Sequence, residues 1–386
     1  MADDSIYEHW DPYDKTFRED PFPTYARFRE TTPVGHCPAY GGFWALTSYE
    51  DVFEAARDWR TYSSADGVTI PPFPFEAKAL PMESDPPEHQ AMRMILMPHF
   101  AQHVVREREG LVRDRARELL DGLAGREQVD LSEAFAKPLP TAVICELLDI
   151  EDLTGEFQDW AETIIYERDD PEAGKQAVEN ILSYFRELIP KRRATPGDDF
   201  ISVLVKAEIE GNPLEDATVL DFCWFLLIAG LDNTAFTIRN LLLQMAQMDW
   251  LREALIEDPS RIPDAVEETL RLYSPVWGIA RTCTRDTTLA GRNLADGDRI
   301  MLLFASADRD PDQFPDPNEF KLGRAPNNHV AFGTGRHRCL GSHLARLEIR
   351  VAVEEFLARY PNYALTEPVG WNEMGPLPVT LNPSQQ

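Results

Sequence analysis

The sequence is short of cysteine and of basic residues, and each shortage excludes a class of protein. Its 386 residues include five cysteines, at positions 37, 145, 223, 283 and 339, which are too few and too scattered for a disulfide framework. The 38 basic residues face 66 acidic ones, so the net charge is −28. Phosphate and anionic lipid both attract clustered Lys and Arg, which argues against a non-specific nucleic-acid binder and against a membrane-surface protein.

Long apolar runs are also missing. The longest uncharged apolar run, Phe222–Leu231, has ten residues, whereas a helix that spans a bilayer needs about 20. The chain opens MADDSIYEHW, without the basic and apolar regions of a secretory signal. We therefore expect a soluble, reduced, cytoplasmic protein that is a monomer and has no membrane or nucleic-acid partner.

Helical periodicity dominates the middle of the chain, from Glu88 to about Glu268. Asp216–Met248 has the pattern of one very long helix that crosses the interior of a large domain. Strand patterns occur at Phe43–Leu46 and Thr282–Ala305. These patterns, without internal repeats, predict one mainly α domain with minor β structure over residues 1–386. Its parts are a β-rich N-terminal part (about 1–62), a helical core (about 88–270), and a cysteine loop with the following helix (about 329–358).

The segment Phe332–Gly341 (FGTGRHRCLG) places one cysteine between glycines just before a helix. Backbone N–H groups and the positive end of a helix would lower the pKa of the Cys339 thiol, and Phe332 would shield it from water. These properties suit a thiolate ligand to a buried metal. Two other interpretations stay open at this point. One is an ordinary buried cysteine, and the other is a zinc site of His329, His337, Cys339 and His343, whose spacing matches no usual zinc pattern.

The pattern Phe332-x-x-Gly335-x-His337-x-Cys339-x-Gly341 resembles the haem-binding signature of the cytochrome P450 superfamily. Three further motifs stand in that family's order: His89-x-x-x-Arg93 after Asp85-Pro-Pro, Ala229-Gly-Leu-Asp-Asn-Thr234, and Glu268-Thr-Leu-Arg271. The resemblance covers essentially the whole chain. It implies the family's triangular, mainly α fold with a long central helix, and a haem-thiolate monooxygenase that binds haem b.

The resemblance also implies roles for single residues. Cys339 would be the axial ligand, since a thiolate pushes electron density onto iron and favours O–O cleavage. Glu268 and Arg271 would form a buried ion pair that braces the coil before the cysteine loop, with Arg324 as a third partner. His89 and Arg93, four residues apart on one helical face, would hold a haem propionate together with Arg281 and His337. The further expected haem contacts are Ala229, Gly230, Phe332 and Gly341.

The central helix departs from the family's usual acid–threonine pair. Asp232 is followed by Asn233, and the threonine comes one place later, at Thr234. One residue along a helix turns a side chain by about 100°, so Thr234 is not a simple substitute. Asp232 is the expected proton-relay acid. Asn233 can hydrogen-bond oxygen or substrate, but an amide does not relay protons as a hydroxyl does. Gly230 is expected to permit a local opening of the helix.

The expected substrate contacts are mostly apolar, which suits a compact, weakly polar molecule. They are Val68, Phe73, Phe75, Phe225, Ile228, Asn233, Val276 and Trp277. The Asp-Asn pair, Tyr40-Gly-Gly-Phe-Trp and Arg193-Ala-Thr-Pro-Gly resemble the camphor and cineole hydroxylase branch of the family. We therefore expect a terpenoid-like substrate that is hydroxylated or O-demethylated.

Electrons must come from a separate protein, because the chain has no flavin- or ferredoxin-like segment. A ferredoxin or flavodoxin with its NAD(P)H reductase is expected, with O2 as the second substrate. Residues 332–350 and 101–117 are locally basic within the acidic chain, so they are candidates for the docking surface. Two alternatives remain: a peroxide-using haem peroxygenase or oxidase, which Asn233 suggests, and a haem-thiolate ligand-binding protein without turnover.

Overall fold

The computed structural model describes residues 4–73, 75–151, 155–166, 170–371 and 374–382. Within these ranges helices predominate and the strands form small sheets. The α-helices are α1 (Lys15–Glu19), α2 (Phe22–Thr31), α3 (Tyr49–Arg57), α4 (Glu88–Leu96), α5 (Gln102–Glu107), α6 (Glu109–Asp121), α7 (Pro138–Leu148), α8 (Glu156–Tyr166), α9 (Pro171–Ala194), α10 (Phe200–Lys206), α11 (Asp216–Gln247), α12 (Asp249–Glu257), α13 (Ile262–Leu272), α14 (Phe304–Ala307) and α15 (Ser342–Arg359).

Among the described residues, the strands form one sheet of five, one of three and two hairpins. The strands are β1 (Val34–Cys37), β2 (Phe43–Leu46), β3 (Tyr62–Ser63), β4 (Gln128–Asp130), β5 (Glu208–Ile209), β6 (Asn212–Pro213), β7 (Ile279–Cys283), β8 (Thr287–Leu289), β9 (Arg292–Leu294), β10 (Arg299–Leu302), β11 (Asn362–Leu365) and β12 (Pro378–Asn382). The largest sheet has the order β1-β2-β10-β7-β3, in which only the β2–β10 pair is parallel. It joins the N-terminal part of the chain to the strands that follow α13.

Local sequence explains where several elements begin. Ser48 caps α3, since its hydroxyl accepts the Asp51 N–H at 3.2 Å and donates to the Asp51 carboxylate at 2.6 Å. Asp170 caps α9 by accepting the Ala173 N–H, and Pro171 occupies the first turn, where no N–H is needed. The predicted strand Phe43–Leu46 and the capped helix after it are therefore confirmed.

The long helix α11 is the centre of the molecule. It packs against α7, α8, α9, α13 and α15, and most of its side chains are buried. It is the one described helix long and apolar enough to cross a membrane, but 61% of its most apolar window is buried inside the protein. The prediction of one long helix through the interior is confirmed, and the fold is mainly α with minor β structure.

Candidate active site

The cysteine loop is closed by its own backbone. The Cys339 N–H donates to the Phe332 carbonyl at 2.8 Å, and the Gly333 N–H donates to the Val330 carbonyl at 2.7 Å. Gly335 has φ +69°, and a Cβ there would lie 3.1 Å from the Ala56 carbonyl oxygen. Only glycine therefore lets this loop adopt its turn while it packs against the end of α3.

The Cys339 thiol is surrounded by protein on all sides, yet the residue has open space next to it and is exposed. A residue with both properties lines an internal cavity. Burial raises the pKa of the thiol, and a hydrogen bond from Gly341 and the positive charge of Arg93 oppose that shift without reversing it. The backbone hydrogen bond therefore acts in the expected direction, but the loss of hydration outweighs it together with the neighbouring charges.

A group of basic side chains lies beside the cysteine loop. The rings of His89, on α4, and His337 have centroids 4.1 Å apart. Both Nδ1 atoms are buried without a hydrogen-bond partner. Arg281, on β7, is 2% exposed, and its Nη1 donates to the carbonyl of its neighbour Ala280 at 2.7 Å. Burial lowers the pKa of His89 to about 4 and that of His337 to about 2.

These residues fit the carboxylate end of a haem. Buried polar atoms normally have partners, so two orphaned imidazole nitrogens next to a buried guanidinium indicate a site for an anionic group. A propionate that accepted hydrogen bonds from these groups would satisfy them. The thiol of Cys339, two positions after His337, would supply the donor that haem iron requires.

Arg93 lies near the same group of basic side chains, since its positive charge helps to lower the pKa of both His89 and His337. Its Nη2 donates to the carbonyl oxygen of Arg338 at 2.6 Å, so the side chain links α4 to the backbone beside Cys339. Phe332 packs beneath the guanidinium of Arg346, whose Cζ lies 4.4 Å from the ring centroid. Gly341 has an ordinary φ of −78°, and the nearest atom to a Cβ there would be 4.0 Å away.

One face of α11 is open to the interior. Phe225, Ala229 and Asn233 are spaced four residues apart, so they lie on one side of the helix. Ala229 is exposed and the other two are half-exposed, although the helix runs through the core. Asp232 and Thr234 are 4% and 6% exposed and face the packed sides. Asn233 therefore takes the cavity-facing place, as the 100° rotation predicts.

Gly230 has a packing role in this structure. A Cβ at this position would lie 3.0 Å from Cγ1 of Ile144, so the glycine lets α7 cross α11 closely. The helix is α-helical throughout Asp216–Gln247, and the local opening expected at Gly230 is not present. The Thr237 hydroxyl donates to the Asn233 carbonyl at 2.9 Å, which keeps that backbone group satisfied within the helix.

Glu268 and Arg271 form a fully buried pair. Arg271 donates through Nε and Nη2 to the two carboxylate oxygens at 2.9 and 2.8 Å. The Nε of Arg324 lies 3.0 and 3.1 Å from the same oxygens. Arg271 also donates to the carbonyls of Asp308 and Pro317. The three charged residues thus tie α13 to the coil that leads to the cysteine loop.

A second ionic group was missed by sequence reasoning. The Glu267 carboxylate accepts from Arg346, on α15, at 2.5 and 2.8 Å and lies 3.0 Å from Nε2 of His329. Hydrogen bonds from these two groups hold the pKa of Glu267 at about 2, against the opposing effect of burial. Glu267 therefore joins both ends of the cysteine loop. No local signal could have shown this, because the partners are 62 and 79 positions away.

The zinc interpretation finds no support in the part of the chain that the structure describes. No three His, Cys, Asp or Glu side chains are grouped there as a metal ion would require. His329 instead contacts Glu267.

The substrate candidates fall into separate groups. Phe73 and Phe75 stack with centroids 4.9 Å apart, and Phe75 meets the edge of the buried Trp224 of α11. Phe225 and Ile228 belong to the same core cluster. Val68 is 2% exposed, and its carbonyl accepts the Ala280 N–H.

The two remaining candidates pack elsewhere. Val276 contacts the cluster beneath the five-stranded sheet. Trp277 packs against Phe17 and Trp371, with the guanidinium of Arg18 5.4 Å from its ring centroid. The N-terminal segment and the segment before β12 therefore cover the Trp277 ring. Trp277 does not pack with the aromatic residues of α11.

Only some of the arginines in the expected basic surface are without an acidic partner among the described residues. In the two basic stretches, Arg113, Arg115, Arg117, Arg346 and Arg350 each form ion pairs with glutamates. Arg106, Arg336 and Arg338 are exposed, and no described acidic side chain pairs with them. The sequence count therefore overstated the positive charge, because tertiary contacts neutralise most of it.

Comparison with known proteins identifies similar chains. The family model described as cytochrome P450 matches residues 166–363. Cytochrome P450 107B1 of Saccharopolyspora erythraea is 34% identical over 366 residues, covering 91% of this chain and 90% of the relative. Cytochrome P450 130 of Mycobacterium tuberculosis is 36% identical, covering 90% of each chain. The crystal structure of CYP109E1 from Bacillus megaterium in complex with testosterone has a TM-score of 0.87 and 30% identity, covering 96% of this chain and 100% of that one.

Proposed function

This chain belongs to the cytochrome P450 family, and on that premise we propose that its substrate is a small, mostly apolar, terpenoid-like molecule. It is a haem monooxygenase of bacterial type. When bound, the haem supplies reductive activation of O2 and transfer of one oxygen atom to the substrate.

The protein's own residues have four tasks in this reaction. Cys339 would hold the iron, and Glu268, Arg271 and Glu267 hold the segments around its loop. His89, Arg281 and His337 would bind the propionates through the donors described above. The stripe Phe225, Ala229 and Asn233 lines the space where substrate and oxygen meet. Asp232, buried next to that stripe, is the proposed acid that passes protons inward.

The observation that supports a small apolar substrate is the lining of this space. The α11 stripe offers a phenyl ring, a methyl group and one amide. Phe75, stacked on Phe73, meets the edge of Trp224 in the first half of α11. Apolar walls with few polar groups bind weakly polar molecules and orient them through one or two hydrogen bonds. The Asn233 amide is the proposed group that orients an ether, hydroxyl or carbonyl oxygen of the substrate.

The test is a spectral titration of the purified ferric protein with monoterpenoid ethers, methoxybenzoates and testosterone. We expect the spin state to shift with the small ethers, and the same compounds to yield hydroxylated or O-demethylated product when electrons are supplied. Cys339→Ala should lose the strongly red-shifted band of the reduced carbonyl complex, whereas Cys283→Ala, a buried cysteine in β7, should keep it. If testosterone alone shifts the spin state, the proposed substrate class is wrong.

A peroxide-using enzyme is the second candidate, and the orientation of α11 supports it. Asn233 faces the interior while the Thr234 hydroxyl is turned into the packing, so the cavity lacks the hydroxyl that relays protons in the usual arrangement. Peroxide supplies both oxygen and the needed protons and electrons. Turnover with peroxide at a rate equal to that with a reductase chain would favour this candidate, and a rate far below it would exclude it.

The electron donor is proposed to be an acidic ferredoxin or flavodoxin that docks beside the cysteine loop. Arg106, Arg336 and Arg338 supply exposed positive charge there, while the rest of the protein is acidic. Arg106→Gln and Arg336→Gln should raise the KM for the reduced donor several-fold and weaken its dependence on salt. Arg115→Gln is the matched control, since Arg115 is already paired with Glu118 and Glu146. Equal effects of all three changes would contradict this docking surface.

A further inference from the structure

A carboxylate just before α4 is connected to the group of basic side chains through one serine, Ser64. Asp85 precedes α4, and its Oδ2 accepts the Ser63 hydroxyl at 2.5 Å. Its Oδ1 accepts the Ser64 N–H at 3.1 Å. The Ser64 hydroxyl lies 3.3 Å from Nε2 of His337. A continuous polar chain therefore runs from Asp85 through Ser64 to the imidazole of the cysteine loop.

This chain connects three parts of the molecule that are distant in sequence. Ser63 ends β3, Asp85 lies at the start of α4, and His337 belongs to the cysteine loop. Ser64 is fully buried, so its hydroxyl has little freedom. Nε2 of His337 faces Ser64, so Nδ1 points the other way. There it is buried and has no hydrogen-bond partner in the protein. The serine therefore determines which ring nitrogen is presented to a bound anion.

Charge supports the same assignment. His89 and Arg281 each lose proton affinity through burial and through neighbouring cations, and Asp85 is the acid that opposes this effect on both. A carboxylate at this place reduces the mutual repulsion of the buried basic groups. The Asp85 carboxylate accepts hydrogen bonds from Ser63 and Ser64, and it therefore leaves the donors of His89 and Arg281 to a bound anion.

We infer that Asp85 is a positioning residue of the haem-propionate site, which holds Ser64 and thereby orients the His337 imidazole toward the propionate. The inference rests on the proposed haem-binding role of His89, Arg281 and His337. Outer-shell partners of this kind typically change affinity about 10- to 100-fold when they are removed.

The experiment measures haem loss from the holoenzyme to excess apomyoglobin. Asp85→Ala and Ser64→Ala should each release haem about tenfold faster than the unchanged protein. Asp85→Asn should release it at a rate between those of Asp85→Ala and the unchanged protein, because the amide oxygen still accepts the Ser64 N–H but the negative charge is lost. The propionate-bending band of the resonance Raman spectrum should shift in Ser64→Ala and Asp85→Ala. A role only in folding would leave that band unchanged in the folded holoenzyme.

Asp51→Asn is the matched control. Asp51 also pairs with a serine hydroxyl at a helix start, and it lies outside this polar chain. It should change neither the rate of haem loss nor the Raman band. If Asp85→Asn and Asp85→Ala both bind haem more tightly, Asp85 acts only as a repelling charge and the inference is wrong. If Ser64→Ala behaves as the unchanged protein, the inference is also wrong, whereas failure of the unchanged protein to take up haem would instead overturn the proposed function.

Discussion

Replacement of Glu268 by glutamine tests the buried ionic group directly. In the structure Oε1 accepts from Arg271 Nη2, Arg324 Nε and the Lys321 N–H, and Oε2 accepts from Arg271 Nε, Arg324 Nε and Asn327 Nδ2. Glutamine keeps one acceptor oxygen and turns the other position into an NH2 group. That NH2 group faces three donors, and the two arginines lose the charge that compensates them.

The expected loss follows from this geometry. Glu268 and Arg271 are 0% exposed and the Arg324 side chain is 5% exposed, so solvent cannot replace the lost carboxylate. Removal of one partner from a buried charge pair costs about 3–5 kcal/mol. We expect Glu268→Gln to lower the free energy of unfolding by that amount and to reduce the yield of haem-loaded protein.

The assay is urea unfolding of the holoenzyme, followed by far-ultraviolet circular dichroism and by haem absorbance. Glu109→Gln is the control: Glu109 also binds two arginines, Arg113 and Arg350, but it lies at the surface with 37% exposure. Surface pairs are worth about 0–1 kcal/mol, so this change should have a small effect. If Glu268→Gln lowers the free energy of unfolding no more than Glu109→Gln does, burial does not strengthen this ionic group and the reasoning is refuted.

Three further predictions concern other parts of the site. Because the pKa of Glu267 is held at about 2, its contribution to stability is present above pH 4.5 and is lost as the pH falls toward 2. The stability difference from Glu267→Gln in acid titrations should therefore shrink across that window, and a constant difference would contradict the assignment. Asn233→Ala should lower the product formed per electron consumed more than Thr234→Ala does, and the reverse order would assign the relay to the threonine. Gly230→Ala should destabilise the fold by about 1–3 kcal/mol through overpacking against Ile144. The same change should cost less in an Ile144→Ala background, which lacks the Cγ1 and Cδ1 atoms that the new methyl group meets, and an equal cost in both backgrounds would mean that the glycine has another role.

The motif residues could be predicted because each motif is local. Within each motif the residues are only a few positions apart, so backbone geometry alone brings them together. This holds for Cys339 and its glycines, for His89 and Arg93, and for Glu268 and Arg271. The same holds for the cavity-facing position of Asn233, which follows from the rotation per residue in a helix. The long central helix was visible in its apolar pattern.

Tertiary structure decided what depends on distant partners. Glu267 meets Arg346 and His329, and the arginines of α6 meet glutamates of α15, only because the helices pack side by side. Burial of the Cys339 thiol raises its pKa, although the sequence around it predicts the opposite. Loss of hydration and ion pairing depend on which segments surround a side chain, and that arrangement is a property of the whole folded chain.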